Sequence, residues 1–294
     1  MGVVTNTFDH SRIEVQELRY RRPFQGALIV LILLLSLVGC DALPTVTANG
    51  TTVIGNNTPN SSGTPTLNVW SKVAPGVELR YEDWKSPGDG EDTVTIVRFD
   101  LHHVQLSVGY QPSHPLLLSE WMHKEQATAV INGGYFDQQD RATGLVIANG
   151  QVFSSSYTGF GGMLAVNGQG HVTLRYLLQH PYDPNERLRQ ATQSAPMLIL
   201  PGGKRAQFEA DAASSRRSVV AMDKQGRLLL IASPGMAFSL DELADLLLKS
   251  DLSINVALNL DGGASTGLYL NSSSRHVAID SFTLLPLVVI VTAI

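Results

Sequence analysis

From Val69 onward the chain is cut into short runs of β-forming residues by turn signals, and that punctuation restricts it to a fold made mostly of paired strands. Residues 93–99 (TVTIVRF) alternate between apolar and polar, 104–108 follow, and 145–148, 162–166 and 171–176 continue the pattern. Asn149-Gly150 and Asn167-Gly168 each separate two such runs. Both residues of that dipeptide tolerate positive φ, so each predicts an antiparallel hairpin. Two stretches have helical spacing instead, 117–126 and 240–249. In the second, Ser239 and Glu242 have the spacing of a capping box, and Leu240, Leu243 and Leu247 share one face. The apolar run 282–294, broken by Pro286, reads as core strand. The expected fold class is α+β: a mixed, largely antiparallel sheet core with a few flanking helices, forming a single domain over residues 68–294.

What precedes that domain is of another kind. Arg19, Arg21 and Arg22 make a basic patch, residues 27–38 are an apolar run broken only by Ser36, and Leu37-Val38-Gly39-Cys40 comes next. A basic region, an apolar region and a small residue before a cleavage point make up an export signal. The tetrad resembles the bacterial lipobox, in which the cysteine is lipidated and becomes the mature N-terminus. The alternative is an uncleaved signal anchor, but the apolar run is shorter than the roughly 20 residues a helix needs to cross a bilayer. Residues 1–40 are therefore expected to be a lipoprotein signal segment. Residues 41–67, rich in Thr, Asn, Ser, Gly and Pro with almost no charge, are expected to be a flexible linker. The expected location is extracytoplasmic, with the protein held at the membrane by lipidated Cys40.

Charge and cysteine content narrow the chemistry. Cys40 is the only cysteine, which excludes an intramolecular disulfide and a thiolate metal cluster. The formal net charge is -5, without long runs of one sign, so a nucleic-acid partner is not expected. No histidine pair has HExxH or comparable metal spacing, and neither a metal nor a cofactor is called for.

Two segments share one layout: helix, apolar strand, polar residue, Gly-Gly. Residues 129–131 run into Asn132-Gly133-Gly134-Tyr135-Phe136-Asp137, and 254–260 run into Asp261-Gly262-Gly263-Ala264-Ser265-Thr266-Gly267. Ligands tend to sit beyond strand ends of this kind, so Asn132 and Asp261 are expected to share a cleft. An ionised aspartate only accepts hydrogen bonds, the glycines let a ligand approach backbone amides, and Ser265 and Thr266 add hydroxyl donors. Arg216-Arg217 precede the apolar strand 218–222. A guanidinium offers a planar fork of donors that suits a phosphate, and of two adjacent arginines on a strand one should face solvent; Arg217 is the candidate for the site.

The succession NGGYFD (132–137), APMLILPGG (195–203), RRSVVAMDKQGRLLLIA (216–232), SLDELADLL (239–247) and ALNLDGGAST (257–266) resembles the phosphodiester glycosidase family, the domain of the lysosomal uncovering enzyme. The likeness covers most of residues 69–294 in order. The chain departs from the usual family pattern at Tyr135, at RSVVA (217–221) and at Ala264, and keeps the arginine, the asparagine, the aspartate and both Gly-Gly pairs. The resemblance implies hydrolysis of a sugar-1-phosphodiester in an envelope glycan or glycolipid. Arg217 would bind phosphate, Asp261 would orient water or stabilise positive charge at the anomeric carbon, and Asn132 with the glycine amides would fix sugar and phosphate oxygens. Substrate contacts are expected from Gly133, Gly134, Tyr135, Asp137, Gly262, Gly263, Ser265 and Thr266.

Three further readings accompany that one. Asp137 and Asp140 are the nearest second carboxylates, or else solvated turn residues or ligands of a structural cation. Gly263-Ala264-Ser265-Thr266-Gly267 matches the GxSxG pattern of serine hydrolases, but only His276 follows it and no helix is expected there, so the match is read as chance. A non-catalytic surface module that binds glycan or envelope polymer with the same cleft is the alternative function. For the N-terminus the outcome expected is that radiolabelled fatty acid enters the wild-type chain in bacterial cells and is absent from Cys40→Ser; equal labelling of both would refute lipidation.

Overall fold

Consecutive apolar residues in a strand require cover on both faces of its sheet, and the run at 228–232 is of that kind. The computed structural model describes residues 66–210 and 213–294. The signal segment, Cys40 and nearly all of the linker lie outside the described residues. The widest sheet has the strand order Ser71–Ala74, Val77–Lys85, Glu91–Phe99, Leu228–Phe238, Ser215–Asp223, Ile254–Asn259, Met197–Leu200, Lys204–Arg205. A second runs Gln151–Val152, Val146–Ala148, Leu188–Ser194, Gly162–Asn167, Val172–Tyr176, and a third His276–Ile279, Leu268–Asn271, Ala129–Asn132, Leu287–Ala293, Val104–Tyr110.

The ladders within these sheets are antiparallel. The parallel pairing expected of a mixed sheet is reduced to one isolated bridge between Leu67 and Tyr81. The described residues are thus mostly antiparallel β-structure with two α-helices.

Alternation along the wide sheet separates two cores. Leu228, Leu230 and Ala232 point inward with Val97, Phe99, Val220, Val256 and Leu258, where they meet Ile131, Val289 and Leu268 of the third sheet and Leu164 of the second. Leu229 and Ile231 point the other way with Val94, Ile96 and Val219, and are covered by Leu240, Leu243 and Leu247 of the helix Leu240–Lys249. The third sheet repeats this arrangement. Ala129 and Ile131 face the common core, while Val130, Val288 and Ile290 pack under Leu118, Trp121 and Met122 of the helix Leu118–Lys124.

Local signals explain the boundaries. Ser239 Oγ accepts from the Glu242 amide at 3.2 Å and the Glu242 carboxylate accepts from the Ser239 amide at 3.0 Å, which closes the expected capping box. At Asn149-Gly150 both residues have positive φ, 52° and 83°, as a two-residue hairpin requires. Asn167-Gly168 behaves differently. The Asn167 side chain accepts from the amides of Gln169 and His171, and Gly170 supplies the positive φ of 84°, so the loop is longer than the dipeptide alone suggests. The C-terminal strand is also shorter than the apolar run. It begins at Leu287, after Pro286, and Phe282 is 75% exposed.

Leu247 is 1% exposed against the wide sheet. Truncating a buried leucine removes transfer energy and leaves a cavity, so Leu247→Ala is expected to lower unfolding free energy by about 2–5 kcal/mol in urea denaturation. A loss well under 1 kcal/mol would mean that this helix does not seal the outer core.

Candidate active site

The two helix–strand–polar–Gly-Gly segments sit in different sheets, and their ends meet. Ala129–Asn132 is in the third sheet and Ile254–Asn259 in the wide one. Asp261 N donates to Gly133 O at 3.0 Å, and Asn132 Nδ2 donates to Asp261 O at 2.7 Å. Asn132 and Asp261 are thus brought together, although the sheets are antiparallel, where the ends of strands from two sheets converge.

Asn132 is 1% exposed. Its Oδ1 accepts from Ser218 Oγ at 2.7 Å and from the Gly267 amide at 3.2 Å, and its Nδ2 reaches Asp261 O and, at 3.5 Å, Gly133 O. The side chain is occupied by the protein. It positions the arginine strand, the DGG turn and the start of the strand Leu268–Asn271, and is not presented to a ligand as the sequence reading proposed.

Asp261 is half-buried. Burial pushes its carboxyl above the usual carboxylate range, while hydrogen bonds from the Ser265 hydroxyl and the Gly262 amide pull it back. Gly262 N lies 2.9 Å from Oδ1. Ser265 thus serves the aspartate, inside a single 3₁₀ turn spanning Gly263–Ser265, and His276 stands exposed on a strand. No strand-to-helix elbow is present at this GxSxG.

Arg217 Nε donates to Phe238 O at 3.0 Å and its Nη2 to Ala213 O at 2.7 Å, which fixes the guanidinium plane. Its Nη1 lies 3.9 Å from the position a Cβ on Gly262 would occupy, so the arginine flanks the DGG turn directly. The expectation that one of the two arginines faces solvent fails: Arg216 and Arg217 are 5% and 7% exposed. The strand carries a register shift between Ser215 and Arg217, and Arg216 turns to donate to Pro234 O and Asp280 O beneath the ring of Phe282, 3.9 Å away. Burial pulls the Arg216 guanidinium below its ordinary value.

Tyr135 completes the inner wall. Its hydroxyl donates to Ala195 O at 2.9 Å and accepts from Asn259 Nδ2 at 2.8 Å. Burial, reinforced by the negative charge of Asp261, pushes it up to about 12, so it remains a neutral phenol. Asn259 was missed in the sequence. The signal was a polar residue ending an apolar strand two positions before Asp261. Its Oδ1 is buried and has no hydrogen-bond partner in the protein, as is true of Thr266 Oγ1.

The remaining expected contacts separate by their surroundings. Gly133 N donates to Leu287 O in the neighbouring strand of its own sheet, and a Cβ on Gly134 would stand 2.0 Å from Gln193 O of the second sheet, so the first glycine admits a neighbouring strand and the second a neighbouring sheet. Gly263 has φ of 60° and a Cβ there would find no atom closer than Ser215 Oγ at 3.5 Å; here the open approach survives. Thr266 is fully buried. Asp137 accepts from the Gln139 and Arg141 amides and from Arg141 Nε, with Asp140 at φ 61° in the same turn. Those bonds hold Asp137 below the usual carboxylate range. Asp223 clamps another turn the same way through Gln225 and Arg227. Asp137 is accordingly a turn clamp.

The phosphodiester glycosidase family model matches residues 125–288, more than half of the chain, and the matched stretch contains this whole site. The chain belongs to the phosphodiester glycosidase family. Among solved structures, this phosphodiester glycosidase domain is similar to the zebrafish N-acetylglucosamine-1-phosphodiester alpha-N-acetylglucosaminidase catalytic domain auto-inhibited by pro-peptide. That match has a TM-score of 0.59 at 19% identity and covers 74% of this chain and 84% of that one. A hypothetical protein from Synechocystis gives a TM-score of 0.58 at 17% identity, over 74% of this chain and 62% of that one. At such identities the likeness is one of fold. No curated protein sequence matches the chain.

The raised carboxyl of Asp261 has a consequence for stability. A group whose folded pKa lies above its unfolded one favours the folded state while protonated; that contribution is complete below the unfolded value, about 3.9, and is lost as pH rises through the folded value. Asp261→Asn is therefore expected to melt at a higher temperature than wild type at pH 7, with the difference shrinking as pH approaches 3. A variant that melts lower at pH 7 would show that the ionised carboxylate stabilises the turn.

Proposed function

We propose that this phosphodiester glycosidase is a hydrolase that cleaves the bond between the anomeric carbon and phosphate in a sugar-1-phosphodiester of an extracytoplasmic glycan or glycolipid. The observation that carries the reading is the juxtaposition of Arg217 and Asp261 across Gly262, a fixed cation beside the turn that carries a desolvated carboxylate. A phosphodiester is singly charged and leaves as a phosphomonoester, so the cleft has little need of a strong general acid. In this reading Arg217 holds the phosphate, and its charge offsets the repulsion between substrate and Asp261.

Asp261 then draws a proton from water or stabilises positive charge at the anomeric carbon, a task helped by a carboxyl titrating above the usual range. Asn132 acts at one remove, by fixing the backbone of Asp261 and the hydroxyl of Ser218. Tyr135 and Asn259 line the wall behind. We further propose that the chain works outside the cytoplasm, tethered through Cys40, on substrates of the envelope.

The two principal residues should fail differently. Arg217→Ala is expected to raise KM as well as lower kcat, because phosphate is held in both ground and transition states. Asp261→Asn keeps the shape and should lower kcat by on the order of a hundredfold or more with binding largely retained. Sugar release from a panel of sugar-1-phosphodiesters measures both, after circular dichroism confirms folding. Near-full activity of Asp261→Asn would overturn its assignment. Tight binding by the wild type with no sugar release from any member would favour the non-catalytic glycan-binding module.

A further inference from the structure

Beside Ala195 the molecule has a cavity of about 370 Å³ whose walls are Phe160, Tyr176, Pro196, Met197, Leu200 and Phe208. That volume lies within the roughly 300–1,000 Å³ range of small-molecule sites. Among the described residues Glu209 is the one charged side chain in its lining. The cavity adjoins the proposed site through Ala195 itself, whose carbonyl accepts from Tyr135 Oη at 2.9 Å and Asn259 Nδ2 at 3.0 Å. It adjoins it again through Phe160, which stacks at 4.7 Å on Tyr157, a residue close enough to Asp261 to feel its charge.

Both walls are held in place. Phe160 is 52% exposed, yet the next residue, Gly161, has φ of 76° and packs so closely that a Cβ would stand 2.6 Å from Ser194 O, while its carbonyl accepts from Leu177 N. Phe208 lies under the Arg205 guanidinium at 5.5 Å, and Arg205 is pinned at 2.6 Å by both Asp241 and Asp245. An open, pre-formed apolar cavity next to a polar site favours an apolar ligand group that would otherwise face water. The carboxylate of Glu209 disfavours a second phosphate there.

We propose that this cavity is the subsite for an apolar aglycone, so that the substrate is the sugar-1-phosphodiester of a long-chain, lipid-like alcohol. The inference rests on the hydrolytic reading for the position of the phosphate. A sugar phosphate seated at Arg217 and Asp261 sends its second ester substituent across Ala195, between Phe160 and Phe208.

The test is calorimetric binding to the full-length chain of two non-hydrolysable N-acetylglucosamine C-glycosidic phosphonates, one a methyl ester and one an octyl ester. Each buried methylene is worth roughly a fourfold gain, so the octyl ester should bind on the order of tenfold or more tighter. The octyl-to-methyl ratio should collapse towards one both in Phe160→Ser, which opens one wall at an exposed position, and in Leu200→Trp, which fills the cavity. Equal affinities in the wild type, no binding of either ester, or a ratio unchanged in both variants would overturn the subsite. A cavity already filled by another part of the chain or by a second copy would give the first of these results. Turnover of the hydrolysable methyl phosphodiester, measured on the same preparation, reports the hydrolytic reading separately. Tight octyl binding without turnover would leave the subsite and remove the hydrolase; turnover without an octyl advantage would do the reverse.

Discussion

The side chain of Asn132 is the constraint on which the rest of the site depends. It is buried, and its two donors and two acceptor directions are spent on Asp261 O, Gly133 O, Ser218 Oγ and Gly267 N. Ser218 lies in the wide sheet, and Asp261 and Gly267 lie 129 and 135 positions along the chain from Asn132. A primary amide can serve all four directions without carrying charge; an aspartate of the same shape loses both donors and brings a charge into an interior that disfavours it. The convergence of the two strand ends, and with it the place where Asp261 meets Arg217, follows from that one amide.

Around this joint the chain tolerates an unusual density of buried polar groups. Two consecutive arginines are buried, and each donates to backbone carbonyls, Arg216 to Pro234 and Asp280 and Arg217 to Phe238 and Ala213. The register shift between Ser215 and Arg217 makes this possible by letting adjacent side chains leave the strand towards different partners. Desolvation is a cost at Arg216, Asp261 and Tyr135 alike, and the apolar cores on both faces of the wide sheet are what offset it. A site of this kind is placed by the fold and destabilises it in turn.

Features governed by local rules were legible in the sequence. The capping box at Ser239, the Asn149-Gly150 hairpin and the strand runs depend on residues within a few positions of one another, and they stand where the pattern puts them. The family likeness was legible too, and its motifs lie inside the matched stretch 125–288. Long-range partners were not. That Gly133 and Gly134 serve sheet contact depends on Leu287 and Gln193, more than fifty residues away. Asp137 is a shorter-range case: the sequence leaves it open between second carboxylate, turn residue and cation ligand, and the bonds from Arg141 place it in the turn. Asn259 shows in sequence only as a polar residue in an apolar strand, and its importance appears once Tyr135 is brought against it.

The strand Leu287–Ala293 occupies an inner position of its sheet, between Val104–Tyr110 and Ala129–Asn132. Val288 pairs with Asn132 and Leu287 with Tyr110, so this strand must find neighbours made long before it. Closing such loops is entropically costly and puts much of the contact energy late in the folding reaction, which makes for slow folding on topological grounds. Until that strand inserts, Ala129–Asn132 has an open edge, Gly133 lacks its carbonyl partner, and the joint at Asn132 has only part of its surroundings. The cleft is therefore a product of late folding, complete only when Leu287–Ala293 has joined Ala129–Asn132.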